Sequence, residues 1–193
     1  MSPLYTMIQY NNHLVYPPIC TVLQLNNGTY VYPIFKNASS SFRDICISKI
    51  YNNQISNIET IDIYWRDAQL RFNSAVNTVI NEDFKYLDTN TIIHLIESGQ
   101  LVNRHFMPQY MWLCHLYKYH TGTVRILDIH NLDIASHKNQ SNFTGTYKGL
   151  KHWIELDNII HNNFMNKTSS LSDINDYIKQ ENRILYKKCI AQE

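Results

Sequence analysis

Between Lys85 and Lys151 the chain carries seven Lys or Arg side chains (Lys85, Arg104, Lys118, Arg125, Lys138, Lys148, Lys151) against four carboxylates (Asp88, Glu97, Asp128, Asp133). Cations gathered this way can neutralise phosphates and release their counterions, although a surplus of three, seven minus four, is small for a surface that tracks a phosphate backbone. Lys148 and Lys151 flank Gly149 inside FTGTYKGLKHWIELDNII, Phe143 to Ile160. Gly145 and Gly149 permit positive φ, so the stretch can turn tightly before a helix and hold its lysines forward. The plainer reading of the same residues is a loop entering a helix whose Trp153 fills the core.

Nine histidines and four cysteines invite a metal. Yet Cys20, Cys46, Cys114 and Cys189 form no Cys-x-x-Cys pair, and His115 and His120 are five residues apart rather than one helical turn. No metal site and no cofactor are expected, and the thiols are expected reduced and buried.

The 193 residues suit one domain, or one domain with an extension. Hydrophobic residues make up 44%, enough for a core. Charged residues make up 17%, below the roughly 25% of ordinary soluble domains. The net charge of +1 excludes a strongly basic global field and leaves only a local patch for nucleic acid. The segment MSPLYTMIQYNN lacks a charged region followed by an apolar run, and no stretch reaches 18 apolar residues. An intracellular protein with no membrane partner is expected. The Asn-x-Ser/Thr sequons at Asn27, Asn37, Asn139, Asn142 and Asn166 read as chance in so Asn-rich a chain.

These side chains need elements to position them. Asn27-Gly28 between two short β-prone runs predicts a hairpin over residues 13–35. The Ser-rich run Lys36 to Phe42 reads as the nearest thing to a breakpoint. Alternation in IETIDIYWRDAQLRFNSAVNTVINED predicts two or three strands, with Ile61, Ile63 and Trp65 on one face. The spacing of Ile92, Ile93 and Ile96 then predicts a helix capped by Asp88 or Thr89, stopping near Gly99. A second helix follows Pro108, and a strand carries Val124, Ile126 and Ile129 inward. A third helix carries Trp153, and a fourth, capped at Ser170, runs through Ile174, Tyr177, Ile178 and Leu185 to Lys187-Lys188. Strands followed by helices predict an α+β fold.

Two segments, in order, resemble the APSES and KilA-N DNA-binding domains. In DFKYLDTNTIIHLI, Leu87-Asp88-Thr89-Asn90 stand where that family has an Ile-Asn-Ala-Thr-like helix start, and Ile92 and Ile93 supply its two aliphatics. Gly145-Thr146-Tyr147 is similar to the Gly-Thr-Trp that ends the family's hairpin, with Tyr for Trp; a second register instead aligns Gly149 and Trp153. The resemblance implies a small antiparallel sheet packed with about four helices, related to winged helices. Residues 1–40 would be an N-terminal β-rich extension carrying the hairpin, and residues 41–193 the domain with its C-terminal helix. It further implies sequence-specific binding of duplex DNA in transcription regulation, in the nucleus if the source is eukaryotic. The residues facing DNA would be Arg104, His105, Lys118, Arg125, Lys138, Asn139, Gln140, Lys148 and Lys151, of which only Lys148 and Lys151 lie on a matched motif.

Two other functions compete. The same module could bind a protein partner through an aromatic patch of Phe106, Tyr110, Trp112, Tyr117 and Tyr119, where exposed rings would mark the contact and buried ones would be ordinary core. His13, Tyr147 and Lys151 also resemble the His and Tyr-x-x-x-Lys set of the poxin family of cyclic-dinucleotide nucleases. That resemblance implies Tyr as base and His as acid.

Overall fold

The computed structural model describes residues 19–34, 37–78, 81, 86–97, 105, 107–132 and 151–190. The hairpin forms where Asn27-Gly28 predicts it. Strands β1 (Thr21–Leu25) and β2 (Tyr30–Val31) are joined by a turn in which Gly28 takes φ 83. Its amide bonds to the Leu25 carbonyl at 3.0 Å, and the Asn27 side chain accepts from Thr29 N at 3.0 Å.

Helix α1 (Ser39–Ile45) occupies the Ser-rich run and leads directly into β3 (Cys46–Tyr51). Neither element was expected from the sequence. A 3-10 turn at Asn52–Asn57 then precedes β4 (Thr60–Trp65). The expectation of further strands after Trp65 is corrected: Ala68–Thr78 is a helix, α2. Asp67 starts it, its Oδ1 accepting from Leu70 N at 2.8 Å and its carbonyl from Arg71 N at 2.9 Å. Ala68, Phe72, Ala75 and Val76 are buried at helical spacing, while Leu70, whose even spacing from Phe72 continues the apparent alternation, is 49% exposed.

Helix α3 (Thr89–Glu97) begins where Asp88 caps it, with Thr91 N at 3.0 Å from Asp88 Oδ1. Pro108 is the N-cap of α4 (Gln109–Leu116), and β5 (Thr123–Asp128) runs into a 3-10 turn at Ile129–Asn131. Helix α5 (Lys151–Phe164), strand β6 (Thr168–Ser170) and helix α6 (Leu171–Ile190) complete the order. Ser170 Oγ accepts from Ser172 N at 3.2 Å, as its capping position predicts.

The fold is α+β, but the sheet is larger than expected and is not purely antiparallel. Its six strands lie in the order β3-β1-β2-β4-β5-β6. β2, β4 and β5 run parallel, whereas β1 is antiparallel to both β2 and β3, and β6 is antiparallel to β5. Six α-helices occur among the described residues. The hairpin β1–β2 sits inside this sheet, between β3 and β4.

One sheet face bears Val22, Ile61, Ile63, Trp65, Val124 and Ile126, packed with Leu113, Leu116, Leu156, Ile160, Leu171 and Ile174 of α4, α5 and α6. The other bears Leu23, Leu25 and Val31 under Phe42 of α1, whose ring centroid lies 5.0 Å from that of Tyr64. One in-register row crosses this second face from Lys49 through Leu23, Val31, Asp62 and Arg125 to Thr168. Between Gln24 and Leu25 the β1–β3 register slips, leaving Ile47 opposite no residue of β1.

The link between α4 and β5 is drawn close by Gly122. A Cβ there would lie 2.7 Å from His120 Cε1 and 2.9 Å from the Glu59 carbonyl oxygen. Gly122→Ala is expected to destabilise the protein by about 1–3 kcal/mol through overpacking against backbone, measured as a lowered urea midpoint with unchanged slope.

Candidate nucleic-acid interface

Of the residues expected to face DNA, three have described side chains. Lys118 is exposed in the turn after α4, His105 is half-buried, and Arg125 stands out from β5 with its side chain 47% exposed. Lys118 follows a helix on the first sheet face and Arg125 stands on the second, so the two do not share a surface. Arg104, Lys138, Asn139, Gln140 and Lys148 lie outside the described residues, as do His13 and Tyr147 of the nuclease alternative. Lys151 is the first residue of α5, but its side chain is outside them too.

Arg125 is fixed by a residue that the sequence reading did not single out. Its Nε donates to Asp62 Oδ1 at 2.9 Å and its Nη2 to Asp62 Oδ2 at 2.7 Å. Asp62 is 3% exposed on β4, in register with Arg125. This bidentate pair raises the guanidinium's pKa, through the hydrogen bond and then the charge of Asp62. A carboxylate between Ile61 and Ile63 in a central strand was the available signal, since such a group is retained in a core only with a partner.

Behind the parallel strands lies a second polar set that the sequence reading also missed. Asp157 of α5 accepts from Gln109 N and Tyr110 N, both at 2.9 Å, and so caps α4 from another helix. Gln109 in turn donates to the Arg66 carbonyl at 2.8 Å and accepts from Arg66 N at 3.0 Å, extending β4 by one residue through a side chain. Asn37 bridges Gln109 Oε1 at 2.5 Å and the Tyr64 carbonyl at 2.8 Å. Arg71, buried in α2, adds its charge to the set. Burial lifts the Asp157 carboxyl to about 6, against the pull of Arg71 and the two amides, so the group is ionised at neutral pH. With Gln109 0% and Asp157 3% exposed, this set is scaffold rather than a surface for substrate.

A third polar group crosses the core between the hairpin and α4. The Tyr32 hydroxyl and His115 Nδ1 are 2.8 Å apart; which one donates depends on the imidazole tautomer. Burial pushes the His115 pKa down to about 4 and the Cys20 thiol up to about 12, so both are neutral near pH 7. Cys20, Cys46 and Cys114 are free thiols.

The aromatic segment is mostly interior. Tyr110 is 1% and Trp112 2% exposed, Tyr117 and Tyr119 are half-buried against the same core, and Phe106 is outside the described residues. Tyr110 and Trp112 are therefore corrected from contact residues to core residues: they complete the layer between the sheet and α5–α6. Among the described residues no three His, Cys, Asp or Glu side chains gather as metal ligands, and no helix is long and apolar enough to cross a membrane.

His115 and Asp157 titrate in opposite senses over the same acid window. A histidine whose folded pKa is about 4 instead of about 6.5 costs stability as pH falls through that interval. A carboxyl raised to about 6 from about 3.9 adds stability as pH falls from 6 to 4. Each effect is on the order of 3 kcal/mol, and the two oppose each other. Denaturation of single variants between pH 7 and 4.5 separates them. The stability advantage of wild type over His115→Gln is expected to shrink with acidification, and its advantage over Asp157→Asn to grow.

Compared with known proteins, the chain matches no family model, no curated sequence and no solved structure.

Proposed function

We propose that the protein binds duplex DNA in a sequence-specific manner and acts in transcription regulation. The observation that carries this reading is Arg125, a half-exposed guanidinium on β5 held by two hydrogen bonds to a buried carboxylate. Arginine forks held this way suit nucleic-acid acceptors, because their donors are oriented before the ligand arrives. The reading is supported by α3, which starts at the position where the APSES/KilA-N resemblance puts a helix start, with Asp88 in the capping role. Asn90 and His94 are exposed on that helix, one turn apart. The interior placement of Tyr110 and Trp112 weighs against the protein-partner reading, which relied on them as a contact patch.

Electrophoretic mobility shifts on duplex DNA test the proposal. Between 50 and 200 mM salt the affinity is expected to fall about 100-fold, as about four phosphate contacts require. Lys148→Glu combined with Lys151→Glu is expected to weaken binding on all sequences alike and to flatten the salt slope. Absence of any salt-dependent shift refutes the reading.

A further inference from the structure

We infer that Arg125 is a specificity-determining residue that reads the O6/N7 edge of a guanine, with Asp62 as its positioning residue; this rests on the DNA-binding reading above. A guanidinium has five N–H donors. Asp62 takes one from Nε and one from Nη2, on the side edge of the fork. Three remain, five minus two, and among them is the end edge formed by Nη1 and Nη2. No described residue accepts from that edge.

Charge decides what the end edge binds. With Asp62 Oδ2 2.7 Å from Nη2, Arg125 and Asp62 together are neutral. Asp62 is 3% exposed, so water does little to weaken its field. At contact a phosphate would keep only part of a free arginine's pull, and from a distance it would meet the carboxylate's repulsion almost as strongly as the guanidinium's attraction. A neutral pair of acceptors does not, and guanine presents one in the major groove, O6 beside N7, at the spacing of a guanidinium edge. The same carboxylate that cancels the long-range pull holds the fork still, so the geometric requirement of a bidentate contact is met without ordering a free side chain.

Among the described residues, none covers the outer side of Arg125, whose side chain is 47% exposed. Thr168, the in-register neighbour of Arg125 on β6, is exposed, and α1 lies over β1 and β2 rather than over β5. β5 and β6 are the last two strands at this rim of the sheet, and a two-stranded ribbon is the width that a major groove admits.

The experiment selects duplexes from a randomised pool with the full chain, then measures affinities of the selected duplex at several salt concentrations. Wild type is expected to enrich a motif with guanine at one position at least. Arg125→Ala and Arg125→Lys are expected to lose that preference, roughly 5- to 150-fold in discrimination, while the salt slope stays that of wild type. Placing 7-deazaguanine at the position removes N7 and is expected to weaken wild type but not Arg125→Ala. Asp62→Asn is expected to blur the preference; should that variant not fold, Arg125→Lys still separates fork from charge. A motif that survives in Arg125→Ala overturns the inference and leaves DNA binding standing. So does a salt slope reduced by about one in that variant, which is the mark of a phosphate contact. No enriched duplex and no salt-dependent shift overturns both.

Discussion

The carboxylate of Asp157 joins parts of the chain that lie far apart in sequence and meet at one buried point. It accepts the first two amides of α4, fixes Gln109 at that helix start, and through Gln109 reaches Arg66 and Asn37. Burying an ionised carboxylate costs several kcal/mol. The amides of a helix N-terminus and the charge of Arg71 converge on it and offset part of that cost, the remainder showing as the raised carboxyl pKa. Four elements, α5, α4, the end of β4 and the approach to α1, are thereby set relative to one another by one side chain, while apolar packing supplies the bulk of the folding energy.

Strand β4 carries that constraint to the surface. Its alternation sends Ile61, Ile63 and Trp65 into the layer beneath α4–α6, and turns Asp62 and Tyr64 to the opposite face. Because β4 is paired on both sides, by β2 and β5, the backbone that presents Asp62 has little freedom. The orientation of Arg125 is inherited from this strand, and the strand's own end is tied down by Gln109.

Local signals in the sequence led to local structure. Asn27-Gly28, Asp88 before an Ile-rich run, Pro108 and Ser170 each act within a few residues, and each marks a turn or a helix start that is present. Ala68–Thr78 reads as strand because Leu70, Phe72 and Val76 fall at even spacing, and the exposure of Leu70 that breaks this pattern is visible only in the fold. The capping by Asp67 was the signal that should have overridden it. Strand β3 was missed because its residues alternate only between half-buried and exposed, so no strong apolar stripe marks it. Parallel pairing of β2 with β4, and of β4 with β5, depends on contacts between residues about thirty and sixty apart, as Val31 with Asp62 and Asp62 with Arg125, and no local pattern encodes it. The polar partners failed for the same reason: Asp157 and Gln109 are separated by 48 residues, Asp62 and Arg125 by 63.

The irregularity at Ile47 has a consequence for life in a crowded solution. β3 is the last strand on its side, and among the described residues its outer backbone has no neighbour. Such a rim invites other chains to add on and grow into fibres. The extra residue bends the strand locally, and Lys49 would bring like charges together if two copies met in register. β6, at the opposite rim, is only three residues long, so among the described residues neither flank is a long regular template, which works against strand addition beside the isoleucines exposed at positions 45 and 47.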